Sequence, residues 1–270
     1  TAALDAGADV IVNAISGVRG LDASEETIRA GKKLALANKE SLVAAGEILF
    51  GMLEETDAVI FPIDSEHSAV FQSLLAGNPE EIRKITLTAS GGPFRNRADL
   101  ESVTPQEALN HPTWSMGPKI TVDSATMMNK ALEVIEAHWF FGLGAHAIEV
   151  LIHPQSIVHG MVEFVDGTVI AQLGRPDMKL PIQYALTYPE RRPLPLEPLN
   201  LLEAGKLEFD PVDRKRFAAI DLAERVIAAG GTSGAVLNAA NEEAVRAFLR
   251  GDIKFVDIVN GVSVVLDSHV

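Results

Sequence analysis

Residues 34–64, LALANKESLVAAGEILFGMLEETDAVIFPID, decide the fold because they read as a strand, a helix and a second strand. The apolar runs LALAN and AVIFPI have the length of buried strands, and the segment between them has helical spacing. The same alternation extends from Ala8 to about Ser90. It predicts right-handed βαβ crossovers and a mostly parallel sheet, in which ligands bind beyond the carboxyl ends of the strands. We therefore expect an α/β fold with functional residues after the strand ends.

The composition is that of a globular protein with an acidic surface. Of the 270 residues, 47% are hydrophobic and 22% are charged, and the formal net charge is -14. This charge disfavours nucleic acid and anionic membranes as partners, and an anionic ligand needs a local positive pocket. The absence of cysteine excludes disulfides, thiolate metal sites and cysteine nucleophiles. No apolar run reaches the roughly 18 residues of a membrane span, and we read no signal peptide in the first residues.

The middle of the chain predicts a long helix and a hairpin. SATMMNKALEVIEAHWFFG, residues 124–142, has Ser124 as a helix N-cap and Gly142 as a stop, and it follows a loop-like stretch. Period-two runs on both sides of Asp166-Gly167 predict an antiparallel hairpin. A proline-rich linker begins near Pro193, and helical patterns follow to the end of the sequence.

A run of polar residues, Asp64, Ser65, Glu66 and His67, follows the predicted strand Val59–Ile63. Side chains two apart on an extended strand project to the same side, so Asp64 and Glu66 can converge on one hard cation, Mg²⁺ or Mn²⁺. The alternative is that Asp64 or Ser65 caps the next helix while both acids are solvated. The residues alone leave both interpretations open.

The predicted long helix offers a third carboxylate. Asn129 and Glu133 share one face, and Lys130 lies three residues from Glu133, so an amide, a cation and a carboxylate can line one pocket. The alternative is an exposed pair of Lys130 with Glu133. The free N–H groups expected near Ser124 suit a phosphate, although the same helix end can simply be capped.

The loop before this helix and one lysine complete the candidates. Trp114 and Met116 lie in a loop bounded by Pro and Gly, which predicts either a lid that excludes water or ordinary loop packing. His111 is the histidine that we expect to bind an anion or a polar ligand. Lys39 stands just beyond a strand end, where it approaches a ligand or lies on the surface.

Several strings, taken in order, resemble one enzyme family over nearly the whole chain. They are LALANKESLVAAG, PIDSEHSA, TASGGPFR, HPTWSMGPKITVDSATMMNKALEVIEAHWFFG and HPQSIVHGMVEFVDGTVIAQLGRPDMKLPI. They resemble the 1-deoxy-D-xylulose 5-phosphate reductoisomerase family. The resemblance implies an enzyme that uses NADPH and a divalent metal, Mn²⁺ or Mg²⁺, to rearrange and reduce this sugar phosphate to 2-C-methyl-D-erythritol 4-phosphate in non-mevalonate isoprenoid synthesis.

The resemblance also implies a role for each matching residue. The metal ligands would be Asp64, Glu66 and Glu133, which with Lys39 would form the catalytic set. The substrate-binding residues would be Lys39, Ser65, Glu66, Ser90, His111, Ser124, Asn129, Lys130 and Glu133. Trp114 and Met116 would form the flap, and Asn38, Glu40, Gly117 and Met178 would contact NADPH.

The expected domains follow the same resemblance. We expect part of a Rossmann-like NADPH-binding domain over residues 1–62, a catalytic α/β domain with the flap over 63–192, a linker over 193–210 and a helical domain over 211–270. The family begins with a strand and a glycine-rich GxTGxxG turn for the NADPH pyrophosphate, and this sequence contains no such string. We therefore expect the Rossmann-like sheet to be incomplete at its N-terminus.

The missing turn keeps two other functions open. One is a fragment that binds metal and sugar phosphate without catalysis, and the other is a metal-dependent isomerase or aldolase without redox chemistry. We expect a homodimer, with the hairpin around Asp166 as the candidate interface. We expect the protein in the cytoplasm if its source is bacterial and in the plastid stroma if its source is a plastid.

Overall fold

Two β-sheets organise the chain in this computed structural model, which describes residues 2–110 and 116–269. The strands are β1 (Val10–Asn13), β2 (Lys33–Leu36), β3 (Val59–Pro62), β4 (Ile82–Ala89), β5 (Ile148–Ile152), β6 (Val158–Phe164), β7 (Val169–Leu173) and β8 (Asp210–Pro211). The helices are α1 (Ala2–Asp5), α2 (Gly20–Arg29), α3 (Lys39–Leu53), α4 (Ser65–Leu74), α5 (Pro105–Ala108), α6 (Pro118–Ala125), α7 (Met128–Phe141), α8 (Lys179–Thr187), α9 (Leu201–Ala204), α10 (Ala219–Ala229), α11 (Ser233–Arg250) and α12 (Phe255–Asp267).

The first sheet confirms the predicted alternation of strands and helices. Strands β1, β2 and β3 pair in parallel in that order, with α2 and α3 as the connections. Leu34 and Leu36 of β2 pack on Ile28 of α2 and Leu42 of α3, so the apolar pattern of each element buries one face against the next. The α/β class with a parallel sheet is therefore confirmed.

Strand β4 does not continue that sheet, contrary to the expectation of one sheet up to about Ser90. It lies in a second sheet of order β7-β6-β4-β5-β8, parallel to β5 and antiparallel to β6. The alternation of apolar runs predicts the type of each element, but the choice of sheet depends on strands that come much later in the sequence. The predicted hairpin is confirmed, because β6 and β7 pair in antiparallel fashion around Gly167, whose φ is 86°.

The predicted long helix is wrong in its start. Two helices, α6 and α7, take its place, and Met127 between them has a left-handed backbone with φ of 64°. Helix α6 begins with Pro118 after Gly117, and proline is favoured at a first helical position. Ser124 therefore lies in the last turn of α6 and is not a helix N-cap. The predicted stop at Gly142 is confirmed, since this residue ends α7 with φ of 65°.

The C-terminal helices share their core with the second sheet. Leu237 and Phe248 of α11 belong to the same buried cluster as Ile135 of α7 and Leu87 of β4. The proline-rich stretch also contains structure, because α9 lies within it and β8 at its end pairs with β5. In the described ranges, no helix combines the length and the apolar character that crossing a membrane requires.

Candidate active site

A cavity of about 270 Å³ lies beyond the carboxyl ends of β2, β3 and β4. Its walls come from the segments after these strands, from α6 and α7, and from the connection between β5 and β6. The polar and ionisable residues that line it are Lys39, Asp64, Ser65, Glu66, Thr88, Ser90, Ser124, Asn129, Lys130, Glu133, Ser156 and His159. The cavity therefore brings together most of the residues that the sequence selected.

Three carboxylates meet at one end of the cavity. Asp64, Glu66 and Glu133 each offer an oxygen, and these oxygens lie within 4.8 Å of one another. Asp64 is the N-cap of α4 and accepts a hydrogen bond from the Glu66 backbone N–H at 3.4 Å. The expectation that strand alternation aligns these two acids is wrong in its cause, because the turn from β3 into α4 does so. Both interpretations of Asp64 apply, since it caps a helix and also faces the other carboxylates.

Two buried lysines lie among these carboxylates. The Lys39 ammonium contacts Asp64 and lies 3.5 Å from Oε1 of Glu133. The Lys130 ammonium contacts Glu133 and lies 3.0 Å from Oε1 of Glu66. Lys130 is 4% exposed and Glu133 is 2% exposed, so the alternative of a surface pair is wrong. Three carboxylates face two ammonium groups, which leaves one negative charge for a further cation to balance.

The ionisation states follow from these neighbours. Burial alone would raise the pKa of Glu66, but the charges of Lys130 and His159 outweigh it and lower this pKa to about 2. Burial likewise opposes the charged form of Lys130, and the charges of Glu133 and Glu66 raise its pKa nevertheless. Glu66 is therefore a carboxylate, and Lys130 an ammonium, at neutral pH.

A second buried pair lies behind the carboxylates, and sequence reasoning missed it. His67 is fully buried, and its Nε2 lies 2.8 Å from the backbone carbonyl of Glu133, which makes Nε2 the donor. Burial and the charge of Lys39 lower the pKa of His67 to about 3, so the ring is neutral. Its Nδ1 lies 4.0 Å from Oε2 of Glu136, and within the described parts of the chain neither atom has a hydrogen-bond partner. Burial raises the pKa of Glu136 to about 8. The sequence did contain one indication of this pair, because Glu136 follows Glu133 by three residues and so lies near it on the same helix.

The carboxylate end of the cavity fits a divalent cation. Its donors are carboxylate oxygens, the hard ligands that Mg²⁺ and Mn²⁺ prefer. Asn129 contacts Glu133 through its Nδ2, as the shared helix face predicted. The Oδ1 of Asn129 is buried and has no hydrogen-bond partner among residues 2–110 and 116–269, so it is a further oxygen in need of a partner.

The other end of the cavity is lined by hydroxyls and glycines. Ser90 and Gly92 follow β4, Ser124 lies on α6, and Ser156 lies between β5 and β6. Gly92 has φ of 65°, and a Cβ added to it would lie 2.9 Å from the backbone carbonyl oxygen of Ser124. Only glycine therefore allows this close approach of two backbones. Hydroxyl and backbone N–H donors around glycines are typical of phosphate sites.

Ser156 and His159 line the cavity, but sequence reasoning did not select them. Ser156 has a left-handed backbone with φ of 51°, and His159 is 6% exposed. Both lie near β6, whose partner is β4, so the pairing of distant strands brings them to the cavity. The string HPQSIVHG contained them, but nothing in their local spacing indicated that they face Ser90 and Ser124.

The residues expected to contact NADPH divide into two groups. Met178 lines the cavity, as does Met116, whose place in a flap stays a prediction. Asn38 is the N-cap of α3, and its Nδ2 donates to the carbonyls of Ile15 and Gly17, at 2.6 and 2.8 Å.

Asn38 belongs to the second group, which also contains Glu40 and Gly117 and lies outside the cavity lining. The Glu40 carboxylate pairs with Lys119 at 3.2 Å, and Gly117 is the exposed N-cap of α6 with open space around it. The contacts of Asn38, Glu40, Gly117 and Met178 with NADPH stay predictions. His111 and Trp114 lie outside the described residues.

Comparisons with known sequences match almost the entire chain. Residues 1–46 match the model of 1-deoxy-D-xylulose 5-phosphate reductoisomerase, and residues 60–141 and 173–270 match models of C-terminal domains of the same enzyme. A reductoisomerase of this name from Symbiobacterium thermophilum is 54% identical over 260 residues, which are 96% of this chain and 67% of the relative. One from Chlorobium phaeovibrioides is 53% identical over 271 residues, or 100% of this chain and 71% of the relative.

Solved structures of the same enzyme have the same fold. The reductoisomerase from Zymomonas mobilis in complex with NADPH superposes with a TM-score of 0.92 at 46% identity, and the match covers 98% of this chain and 69% of that chain. A second structure, in complex with NADPH, fosmidomycin and magnesium, has a TM-score of 0.93 at 45% identity and covers 97% of this chain and 67% of that chain. NADPH, magnesium and fosmidomycin are thus present together in one solved structure of similar fold.

Proposed function

The chain belongs to the 1-deoxy-D-xylulose 5-phosphate reductoisomerase family, and we propose that the cavity described above is where it carries out the family's reaction. Enzymes of this family are NADP-dependent oxidoreductases. They rearrange and reduce 1-deoxy-D-xylulose 5-phosphate to 2-C-methyl-D-erythritol 4-phosphate in isoprenoid synthesis, with a divalent metal and NADPH as cofactors. The observation that carries the proposal is the convergence of Asp64, Glu66 and Glu133 beside two buried lysines.

Asp64, Glu66 and Glu133 would hold the metal. When bound, Mn²⁺ or Mg²⁺ supplies Lewis acidity, which lowers the pKa of a coordinated hydroxyl and stabilises negative charge on a carbonyl oxygen. The protein contributes the orientation of the ligands. Ser65 Oγ donates to Oε2 of Glu66 at 2.6 Å, and Lys130 contacts both glutamates, so the carboxylates are fixed before the metal arrives.

The cations and amides at this end would bind the reacting part of the substrate. Lys39 places an ammonium beside Asp64 and Glu133, where it can donate to the substrate oxygen on which charge grows during the rearrangement. Asn129 and Lys130 project from successive positions of α7 toward the same carboxylate and would hold substrate hydroxyls. Because these groups are buried and already oriented, little reorganisation accompanies the charge change.

The hydroxyl end would bind the phosphate. Ser90, Ser124 and Ser156 offer three O–H donors, and the glycines after β4 leave their backbone accessible to an anion. His111 is assigned to the same end through the resemblance. Helices α6 and α7 form the wall between the carboxylate end and the hydroxyl end of the cavity. A substrate with vicinal oxygens at one end and a phosphate at the other would therefore suit the cavity.

The apolar part of the cavity would accept the nicotinamide. Met178 lines this part, and Met116 with Trp114 would cover the site and exclude water. NADPH, when bound, supplies the hydride that reduces the rearranged aldehyde. Asn38, Glu40 and Gly117 are proposed to lie on the cofactor side, where Asn38 and Glu40 fix the start of α3 and with it Lys39.

The proposed partners are a sugar-phosphate substrate and a second copy of the chain. Val165 and Val169, on the hairpin of edge strand β7, are 66% and 52% exposed, which supports this hairpin as the interface. Sedimentation velocity would test the dimer. We also propose a cytoplasmic location, because the named relatives come from bacteria.

The decisive test combines binding with turnover. We expect the protein to bind fosmidomycin in a calorimeter in the presence of Mg²⁺, and to oxidise NADPH when Mn²⁺ and 1-deoxy-D-xylulose 5-phosphate are added. Glu133→Gln removes one of the three metal carboxylates, and we expect it to lower turnover by roughly 100-fold or more. Glu149→Gln changes a carboxylate on β5 that pairs with Lys84 outside the cavity, and this control should retain the activity of the parent.

The possible outcomes separate the alternatives. Binding of fosmidomycin without NADPH oxidation would support the metal and sugar-phosphate binding fragment instead. Conversion of the substrate without NADPH would support the isomerase without redox chemistry. A parent protein that neither binds the inhibitor nor turns over at saturating metal would overturn the proposed site.

A further inference from the structure

A buried chain of polar side chains connects helix α11 to the wall of the cavity. Asn241 of α11 is 0% exposed, and its Nδ2 donates to Oδ1 of Asp123 at 2.8 Å. Asp123 is 1% exposed, and its Oδ2 lies 3.0 Å from the ammonium of Lys119. Lys119 also lies 3.2 Å from Oε1 of Glu40. The chain therefore joins α11, α6 and the start of α3.

Asp123 directly precedes Ser124, which lines the hydroxyl end of the cavity. Both carboxylate oxygens of Asp123 have partners, one from α11 and one from the first turn of its own helix. Helix α6 is short, and the left-handed Met127 separates it from α7, so the orientation of α6 is not set by helical continuity with α7. The hydrogen bond from Asn241 is thus a direct polar link between α6 and the C-terminal helices.

The side chain of Asn241 lowers the stability of the fold at this position unless its N–H donor has a function. Its Oδ1 is buried and lacks a hydrogen-bond partner in the part of the chain that the structure describes. A leucine of similar volume would avoid this unsatisfied oxygen and would fill the space between the helices. What leucine lacks is the N–H that holds Asp123.

Loss of that N–H would act on Ser124. Glu40, Lys119 and Asp123 carry two negative charges and one positive charge. The N–H donor of Asn241 therefore stabilises the excess negative charge on Asp123. Without it, a buried carboxylate has an unpaired oxygen, which favours either protonation or rotation of the side chain toward water. Either change shifts the last turn of α6, where the Ser124 carbonyl packs against Gly92.

We propose that Asn241 is a positioning residue for the phosphate group of the substrate, acting from α11 through Asp123 on Ser124. This inference rests on the proposed function, because it takes Ser124 as a phosphate donor. It gives the C-terminal helices a part in ligand binding, although none of their residues lines the cavity among those described.

The test compares two asparagines one turn apart. Asn241→Leu removes the donor to Asp123, and Asn238→Leu is the matched control, because Asn238 is also buried with an unpartnered Oδ1 but donates to Glu242 at 3.2 Å. Calorimetry measures fosmidomycin binding with saturating Mg²⁺, and electron paramagnetic resonance measures Mn²⁺ binding without the inhibitor. We expect Asn241→Leu to weaken inhibitor binding by about tenfold or more and to leave Mn²⁺ affinity unchanged. Asn238→Leu should change neither affinity.

Two results would overturn the proposal. One is an unchanged affinity for fosmidomycin in Asn241→Leu. The other is an equal loss of Mn²⁺ affinity, which would mean a general structural defect because the metal carboxylates lie at the start of α4 and on α7. If the parent itself does not bind the inhibitor, the failure belongs to the proposed function and not to Asn241.

A second variant covers the case in which Asn241→Leu does not fold. Asn241→Asp keeps the size of the side chain but sets two carboxylates against each other, and at low pH they can share one proton and regain a donor. We expect the ratio of variant to parent dissociation constants for fosmidomycin to be larger at pH 8 than at pH 5.5. A ratio that does not change with pH would contradict the proposal.

Discussion

At the scale of single residues, the buried Glu136 makes a prediction about stability and pH. Its folded pKa of about 8 lies above the ordinary value of 4.5, so between these values the folded chain keeps a proton that the unfolded chain loses. The stability that Glu136 contributes is therefore complete below pH 4.5 and is lost as pH rises to about 8. We expect Glu136→Gln to be more stable than the parent, by an amount that grows over this range and then levels off.

Urea unfolding with EDTA present would measure this difference at pH 5, 7 and 9. Each pKa unit corresponds to about 1.4 kcal/mol, so the full effect should reach a few kcal/mol. Glu47→Gln, at an exposed position of α3, is the control and should show no such growth. A stability difference that is constant or shrinks with pH would mean that Glu136 is ionised in the folded protein.

The residues of the site differ in how far the sequence could predict them. Asp64 and Glu66 were identifiable because they follow an apolar run directly, and Asn129, Lys130 and Glu133 because helical spacing puts them together. The burial of Lys130, the pairing of Lys39 with Asp64, and the presence of Ser156 were not predictable, since each depends on segments far apart in the sequence. Local sequence patterns identified candidate residues for the site, and the resemblance to a family supplied the role expected of each residue.

At the scale of elements, two glycines test how the C-terminal helices pack. A Cβ added to Gly234, near the start of α11, would lie 2.0 Å from the backbone carbonyl oxygen of Val43 in α3. We expect Gly234→Ala to destabilise the protein by about 1–3 kcal/mol, because neither helix backbone can move away without disturbing its neighbours. Urea unfolding at pH 7 would give the difference from the parent.

Gly261 of α12 is the matched control for the same substitution. A Cβ there would meet no atom within 4 Å, so Gly261→Ala should gain helix propensity and stabilise by about 0.5–1 kcal/mol. Opposite signs for the two variants would support close packing of α11 on α3. If Gly234→Ala were as stabilising as Gly261→Ala, the two helices would not be in close contact.

The elements also show where local patterns are sufficient. The strands of the first sheet and the last three helices were predicted because their apolar periodicity is regular. The division of the middle helix at Met127 was not predicted, because a left-handed methionine has no local sequence signature. Pro118 was the available indication of the true helix start, but the string around Ser124 resembled a start more closely.

At the scale of the whole molecule, one hydrophobic core crosses the proposed domain boundaries. Ile220 and Leu222 of α10 belong to the same cluster as Val134 and Ile135 of α7. The boundaries at 62, 192 and 210 stay proposals. We expect α10, α11 and α12 to unfold together with β4 and β6, because separating them would expose this shared core to water.

Hydrogen exchange at increasing urea concentration would test this cooperativity. Peptides from α11 and from β4 should lose protection at the same urea midpoint. Loss of protection in the C-terminal helices at a lower midpoint would mean that they form an independent unit, and the positioning of Ser124 by Asn241 would then depend on a helix that detaches on its own.

The approach of Gly92 to the carbonyl of Ser124 also bears on drug resistance. A substitution confers resistance to an inhibitor only if it weakens inhibitor binding more than it weakens binding of the natural substrate. A side chain at Gly92 would collide with the backbone carbonyl of Ser124, which lies beside the hydroxyls proposed to bind the substrate phosphate. We therefore expect few substitutions at this glycine to be tolerated, so an inhibitor that fills the space beside it would contact a position that is hard to change.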